Sequence, residues 1–232
     1  MNLNRRLALL LSFILTAPAL AADTTKLNAT YSITRAGQPI GEIKETLEIA
    51  QGQYRLESTT IAVGVLAVFV KETIREISAG TYDSNGFRPQ QFSYQRSTKP
   101  SKNSEARFDW EKHSATFNFS GKTESEALPP QLQDRLSLGY QLRYWPKAQD
   151  SLRLPVSNGK GISEYNVLRV GAEVVTVPAG KFHTTRYTRE RTKDHDGISV
   201  WVSDKVVAPI KIVIDEKKGA QTEQVLTHIA SE

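Results

Sequence analysis

The side chains able to do chemistry are few in this chain and poorly grouped. There is no cysteine, so thiolate nucleophiles, thiolate metal sites and disulfides are all excluded. Four histidines, His113, His183, His195 and His228, are scattered with no pair at metal-ligand spacing. The closest thing to a metal cluster is Asp194-His195-Asp196-Gly197, two carboxylates around one imidazole. It ends in Asp-Gly between two strand-like stretches, which suits a solvated hairpin turn better. The G-x-S-x-G elbow of serine hydrolases does not occur, and Gly159-Lys160-Gly161 lacks the spacing of a phosphate loop. Nothing singles out a pair of acids for glycoside hydrolysis. The sequence therefore predicts no catalytic residue, no metal and no cofactor, and a hydrolase ranks far behind a binding function.

Cations and aromatics remain. Arg135 and Arg143 lie two helical turns apart in LPPQLQDRLSLGYQLRYWP, residues 128–146, among leucines and tyrosines. Guanidinium groups in such company need carboxylate or carbonyl partners, which either an anionic ligand or the protein's own acids can supply. A second basic group falls in TTRYTRERTK, residues 184–193. On a strand, Tyr187, Arg189, Arg191 and Lys193 share one face, with Arg186 and Glu190 on the other. Such a stripe suits lipid headgroups or glycan phosphate, and equally an ordinary solvated face with cross-strand acidic partners.

The elements that must position these residues are mostly strands. Leu27, Ala29, Tyr31 and Ile33 alternate with polar residues, as a strand with one wet face requires. Gly41, Ile43, Leu47 and Ile49 repeat the rhythm, although Glu45 interrupts the apolar side. Tyr54 with Leu56, Phe108 with Trp110, Phe117 with Phe119, Val200 with Val202, Ile210 to Ile214, and Val225 with Ile229 extend it. Ser84-Asn85-Gly86, Asn158-Gly159 and Lys218-Gly219 tolerate the positive φ of tight turns between them. Strands this closely spaced pair sequentially and antiparallel. The expectation is a mainly β protein: a single curved antiparallel sheet or half-open barrel of about eleven strands.

Residues 130–145 break that rhythm and predict one central helix, opened by Pro130 and stopped by Pro146. At about 100° per residue, Leu132, Leu136, Tyr140 and Tyr144 form one stripe and Leu138, Leu142 and Trp145 another. Only Gln133, Asp134, Ser137 and Gln141 leave a polar sector. A helix so widely apolar must be enclosed on two or three sides, which the concave side of a curved sheet provides. The run Ile61–Val70 is the most apolar part of the chain after its N-terminus, and is too short to span a bilayer. It reads as a doubly buried strand, or as a lining for a greasy ligand in which Val65, Val68 and Phe69 take part.

Arg5 and Arg6, the apolar run Leu7–Leu15 and Ala19-Leu20-Ala21 have the three-part layout of a cleaved secretory signal. Residues 1–21 are thus expected to be a signal peptide and 22–232 a single β-rich domain, exported to the periplasm of a Gram-negative bacterium with no transmembrane segment in the mature chain. The formal charge of +5 falls to +3 without the two arginines. That mild excess, together with export, excludes nucleic acid as a partner.

Several local patterns resemble the exported bacterial family known as domain of unknown function 3108. They are Gly37-Gln38-Pro39-Ile40-Gly41 with Glu42, Gln133-Asp134-Arg135-Leu136-Ser137, and Val177-Pro178-Ala179-Gly180-Lys181-Phe182. Trp201-Val202-Ser203 and Ala208-Pro209-Ile210-Lys211 follow in order. The resemblance covers nearly all of the mature chain and implies an antiparallel β protein of the envelope with no established activity and no catalytic residues to assign. In architecture alone, the expected fold is similar to the half-barrels of periplasmic lipoprotein carriers, an analogy that does not fix function.

The leading expectation is a non-enzymatic binding or carrier module for a lipid or other amphipathic envelope molecule. Arg135, Leu136, Tyr140, Leu142, Arg143, Val65, Val68 and Phe69 are its candidate ligand contacts. The competing expectation is a structural or assembly partner of another envelope protein, with its concave side filled by its own side chains.

Overall fold

The computed structural model describes residues 24–64, 67, 71–146 and 148–231. The expected signal sequence, and with it Val65, Val68 and Phe69, lies outside the described residues. From the N-terminus a meander of antiparallel strands runs β1 (Thr25–Arg35), β2 (Gln38–Ala50), β3 (Gln53–Ala62), β4 (Thr73–Asp83), β5 (Gly86–Arg96), β6 (Ser104–Asp109), β7 (Ser114–Phe119) and β8 (Lys122–Ala127). After the central segment come β9 (Gln133–Asp134), β10 (Ser151–Ser157), β11 (Ile162–Val177), β12 (Gly180–Arg189), β13 (Gly197–Val202), β14 (Lys211–Asp215) and β15 (Gln221–Ser231). Strand β15 pairs with β1, so both meanders join into one 15-stranded sheet that ends at β8 and β9.

The class is as expected, but fifteen strands replace about eleven. The surplus lies where alternation is weakest. All six residues of β8 are exposed and only Ala127 is apolar, while β9 is two residues joined in parallel to Val156 and Ser157 of β10. The turns fall where positive φ was expected, with Gly86, Gly159 and Gly219 all in that region.

The central helix is shorter than 130–145. Gln131 has φ 60° and Gln133–Asp134 is extended, so helix α1 covers only Ser137–Gln141, continued by a 3₁₀ turn over Leu142–Tyr144. The Asp134 carboxylate sets the entry: its Oδ1 accepts the amides of Leu136 at 2.9 Å and Ser137 at 2.8 Å. Those donors, left unmet at a helix start, would otherwise be costly to bury. The polar sector is not wet either. Gln133, Asp134 and Ser137 are buried, because each finds a hydrogen-bond partner inside the protein.

Enclosure of the segment is as expected. Strands β5 and β13 stand seven steps apart in the sheet, roughly 34 Å on a flat sheet at about 4.8 Å per strand. Both touch the five-residue α1, so the sheet must curl around it, half-barrel-like. Three apolar clusters meet there. Tyr140 and Leu136 join the cluster of β1–β3 and β15 around Tyr31, Leu56 and Leu226. Leu138, Leu142 and Trp145 pack on Leu154, Val156, Val167, Tyr187, Val200 and Val202. Leu128 and Leu132 pack on Phe92, Phe108 and Phe117.

Candidate functional site

Between α1 and the inner sheet face lies a hollow of about 400 Å³. Its walls differ in chemistry. Ile198 and Val200 of β13, Ile212 and Ile214 of β14, Pro209 and Leu138 make an apolar side. Glu45 of β2, Ser58 and Thr60 of β3, Glu76 of β4, Arg135 and Tyr140 make a polar one. Gly139 lets α1 approach closely, since a Cβ there would come within 2.9 Å of the Pro209 ring.

Glu45 is the residue that broke the apolar alternation of β2, and it points inward with Ile43 and Leu47, only 6% exposed. Its Oε2 accepts the Tyr140 hydroxyl at 2.7 Å. Burial raises its pKa to about 7, opposed mainly by that hydrogen bond and reinforced by the nearby Glu76 carboxylate. The Tyr31 hydroxyl lies close enough to be influenced by Glu45 and Tyr140 but forms no well-shaped hydrogen bond. Burial pushes the phenols of Tyr31 and Tyr140 well above their ordinary range. The interruption at Glu45 was the visible sequence signal of this site, and periodicity alone gave no reason to weigh it as more than a flaw.

Arg135 pairs with Glu76: Nε lies 2.6 Å from Oε1 and Nη2 donates to Oε2 at 2.9 Å. The ring of Tyr94 lies 4.9 Å beneath the guanidinium carbon. Arg135 lines the hollow and keeps 44% of its side chain accessible to solvent. Of the two partners open to Arg135, the structure supplies the internal acid.

Next to it is a second buried network. Tyr54 donates to Ser78 Oγ, 2.7 Å away, and Ser78 donates to Asp134 Oδ2 at 2.5 Å. Burial raises the Asp134 carboxyl to about 6, against the pull of Ser78 and the two helix amides. Ser137 Oγ donates to Gln133 Oε1 at 3.0 Å, and Gln133 Nε2 reaches the Phe87 carbonyl at 2.9 Å. Gln141 accepts the Phe87 amide at 2.7 Å and donates to the Asn85 carbonyl at 2.8 Å. Gly86 permits this docking, because its φ is 96° and a Cβ would lie 2.3 Å from Gln141 Oε1. Gln133, Asp134 and Arg135 thus tie the segment to the sheet, while the amides of Leu136 and Ser137 and the Ser137 hydroxyl brace it from within.

The other sequence-derived candidates are dispersed. Leu136 and Tyr140 line the hollow, whereas Leu142 is buried among β10–β13 side chains. Arg143 donates to the Asp204 carbonyl at 3.0 Å, away from Arg135. The basic stripe does not form as one face. Strand β12 ends at Arg189, so Arg191 and Lys193 sit in the following loop, both exposed. Tyr187 is turned into the core and stacks on Trp145, with ring centroids 5.3 Å apart. Arg189 lies over Tyr165 at 3.8 Å and donates to the Asp196 carbonyl. The loop at Asp194–His195 is exposed and closed by Thr192 N donating to the His195 carbonyl at 2.9 Å. Among the described residues, no group of three or more His, Asp or Glu side chains is placed to hold a metal ion, and no helix is long and apolar enough to cross a membrane.

A family model described as "Protein of unknown function (DUF3108)" matches residues 30–225. No curated protein matches the sequence. Among solved structures the chain is similar to MucB in its complex with MucA(peri), at 12% identity and TM-score 0.37, over 90% of this chain and 50% of that one. The MucA/MucB complex of Pseudomonas aeruginosa gives 12% identity and TM-score 0.28, over 89% and 52%. The chain thus spans about half the length of these MucB chains. An exported protein with a YmcC-like fold from Bacteroides fragilis gives 11% identity and TM-score 0.31, over 89% and 95%.

Proposed function

The chain belongs to the DUF3108 family, and we propose that it is a non-enzymatic carrier holding an apolar or amphipathic molecule of the bacterial envelope between α1 and the inner face of β13 and β14. One observation carries this reading: the hollow of about 400 Å³ falls within the roughly 300–1,000 Å³ of ordinary ligand sites and joins an apolar wall to a few convergent polar groups. The signal-like layout of residues 1–21 supports a carrier exported to the periplasm of a Gram-negative cell. Leu136 and Tyr140 serve as wall residues. Leu142 acts behind them, as packing that holds α1 in place.

Native mass spectrometry of protein purified from the periplasm tests the proposal. The expected result is an added mass that organic extraction removes. Leu136→Ala combined with Tyr140→Ala lowers its retention relative to Glu124→Ala on the exposed β8. Core truncations cost about 2–5 kcal/mol each, so thermal unfolding is followed in parallel. Protein that carries no added mass and takes up none when incubated with envelope lipid would contradict the proposal.

A second reading, an assembly partner of another envelope protein, has its own support along β11. Leu168, Val170 and Val174 of this strand are 41%, 57% and 48% exposed, and exposed apolar side chains suit a protein contact. In-cell crosslinking from Val170 distinguishes it, since a carrier without a partner yields no specific adduct.

A further inference from the structure

We propose that the hollow selects an amphiphile by the charge of its head: a primary ammonium seated against Glu45, with its chain along β13 and β14, in preference to an anion at Arg135. This deepens the carrier reading above and rests on it.

Arg135 looks like the natural seat for an anionic head, but its charge is already met. Two of its nitrogens engage both oxygens of Glu76, and Tyr94 lies beneath the guanidinium plane. The other ionisable groups lining the hollow are Glu45 and the phenols of Tyr140 and Tyr165, with no lysine and no second arginine among the described residues that line it. The groups facing Glu45 are Tyr31 from β1, Ser58 from β3, Glu76 from β4 and Tyr140 from α1. Two carboxyl groups thus stand against one guanidinium, and Glu45, raised to about 7, is about half ionised at neutral pH. An anionic head entering this space meets that negative charge and drives Glu45 toward its protonated form. An ammonium instead draws Glu45 into its ionised form and is balanced by it.

Hydrogen-bonding capacity points the same way. An ionised carboxylate offers about four acceptor positions over two oxygens, and Tyr140 engages only Oε2 of Glu45. Glu45 therefore retains room for an N–H donor, while its burial makes an incoming cation worth more than it would be at the surface. The apolar wall supplies what an alkyl chain needs: Ile198, Val200, Ile212 and Ile214 project from neighbouring strands into the same space.

The experiment titrates delipidated full-length mature protein calorimetrically with dodecylamine, dodecanol and dodecanoate, each below its micelle concentration at neutral pH. Dodecylamine is expected to bind about tenfold more tightly than dodecanoate, with dodecanol between them. Without Arg5 and Arg6 the formal charge is +3, which draws anions non-specifically, so a preference for the amine arises against that background. Glu45→Gln keeps the shape and erases the preference for the amine, bringing dodecylamine level with dodecanol. Glu76→Gln releases Arg135 and moves the preference toward dodecanoate. Dodecanoate binding as well as or better than dodecylamine, or a ranking unmoved by Glu45→Gln, would overturn the inference and leave the carrier reading standing. Binding of none of the three probes would overturn both.

Discussion

The segment 128–146 meets the two halves of the sheet in different ways. Toward β2–β5 it is held by directional bonds: Tyr140 to Glu45, Arg135 to Glu76, Asp134 to Ser78, and Gln133 and Gln141 to the backbone around Phe87. Toward β10–β14 it is held by apolar surface, with Leu138, Leu142 and Trp145 among valines, a leucine and Tyr187. Hydrogen bonds fix a position, because a buried donor or acceptor pulled off its partner is left at full desolvation cost. Apolar contacts tolerate sliding and repacking at lower penalty. The polar half therefore acts as an anchor and the apolar half as the wall that can yield, and the hollow lies along the seam between them.

The largest expected effect comes from removing the anchor. Asp134→Ala strands the Ser78 hydroxyl and the amides of Leu136 and Ser137, each costing about 1–3 kcal/mol when buried without a partner. Chemical denaturation should show a loss of about 3 kcal/mol or more. Leu142→Ala, in the yielding half, is expected to cost about 2–3 kcal/mol, at the low end for a buried leucine because neighbours relax into the gap. A larger loss for Leu142→Ala than for Asp134→Ala would reverse the comparison.

Acidity separates the halves again, since the buried carboxyls among the described residues, Glu45 and Asp134, are both on the anchored side. Glu45 titrates near 4.5 in the unfolded chain and at about 7 when folded, and Asp134 is raised to about 6. A raised carboxyl keeps its proton in the folded state while the unfolded chain has lost it, so stability declines as pH rises from about 4.5 through 7. At about 1.36 kcal/mol per pH unit, less what water in the hollow screens, Glu45 contributes a fall of about 2 kcal/mol between pH 5 and 8. Glu45→Gln should flatten that slope in denaturation profiles. A profile equally steep in the variant would remove Glu45 from the account. At the acid end Glu72 and Glu216, each lowered to about 2 by its arginine, Arg96 and Arg35, act in the opposite sense, and stability falls as pH drops from about 4.5 toward 2.

The smallest effect is expected outside both halves. Arg191→Ala, at an exposed loop, should change stability by less than about 0.5 kcal/mol and leave amphiphile binding unaltered. A loss of binding would bring the basic loop back as part of the site.

Much of the anchored segment could be read from composition, because a stretch apolar over most of a helix has to be enclosed. Its length could not. Asp134 and Gln133 look like a solvated sector until Ser78 and Phe87, which lie 56 and 46 residues away in the chain, are folded against them. Glu45 poses the same difficulty, being 95 residues from Tyr140, and a break in alternation does not say which partner justifies it. The basic stripe failed for a local reason: parity carries a pattern only as far as the strand does, and β12 stops at Arg189. Strand β8 was missed because an all-exposed edge has no apolar rhythm to detect.

The most direct test of the seam is methyl NMR of the mature protein titrated with dodecylamine. The account predicts that methyl signals of Leu138, Ile198, Val200 and Ile212 shift in a saturable way, while Leu56 and Leu226, fully buried in the core beneath Tyr31, stay in place. Shifts confined to the exposed Leu168, Val170 and Val174 of β11, or no saturable shift at all, would contradict it.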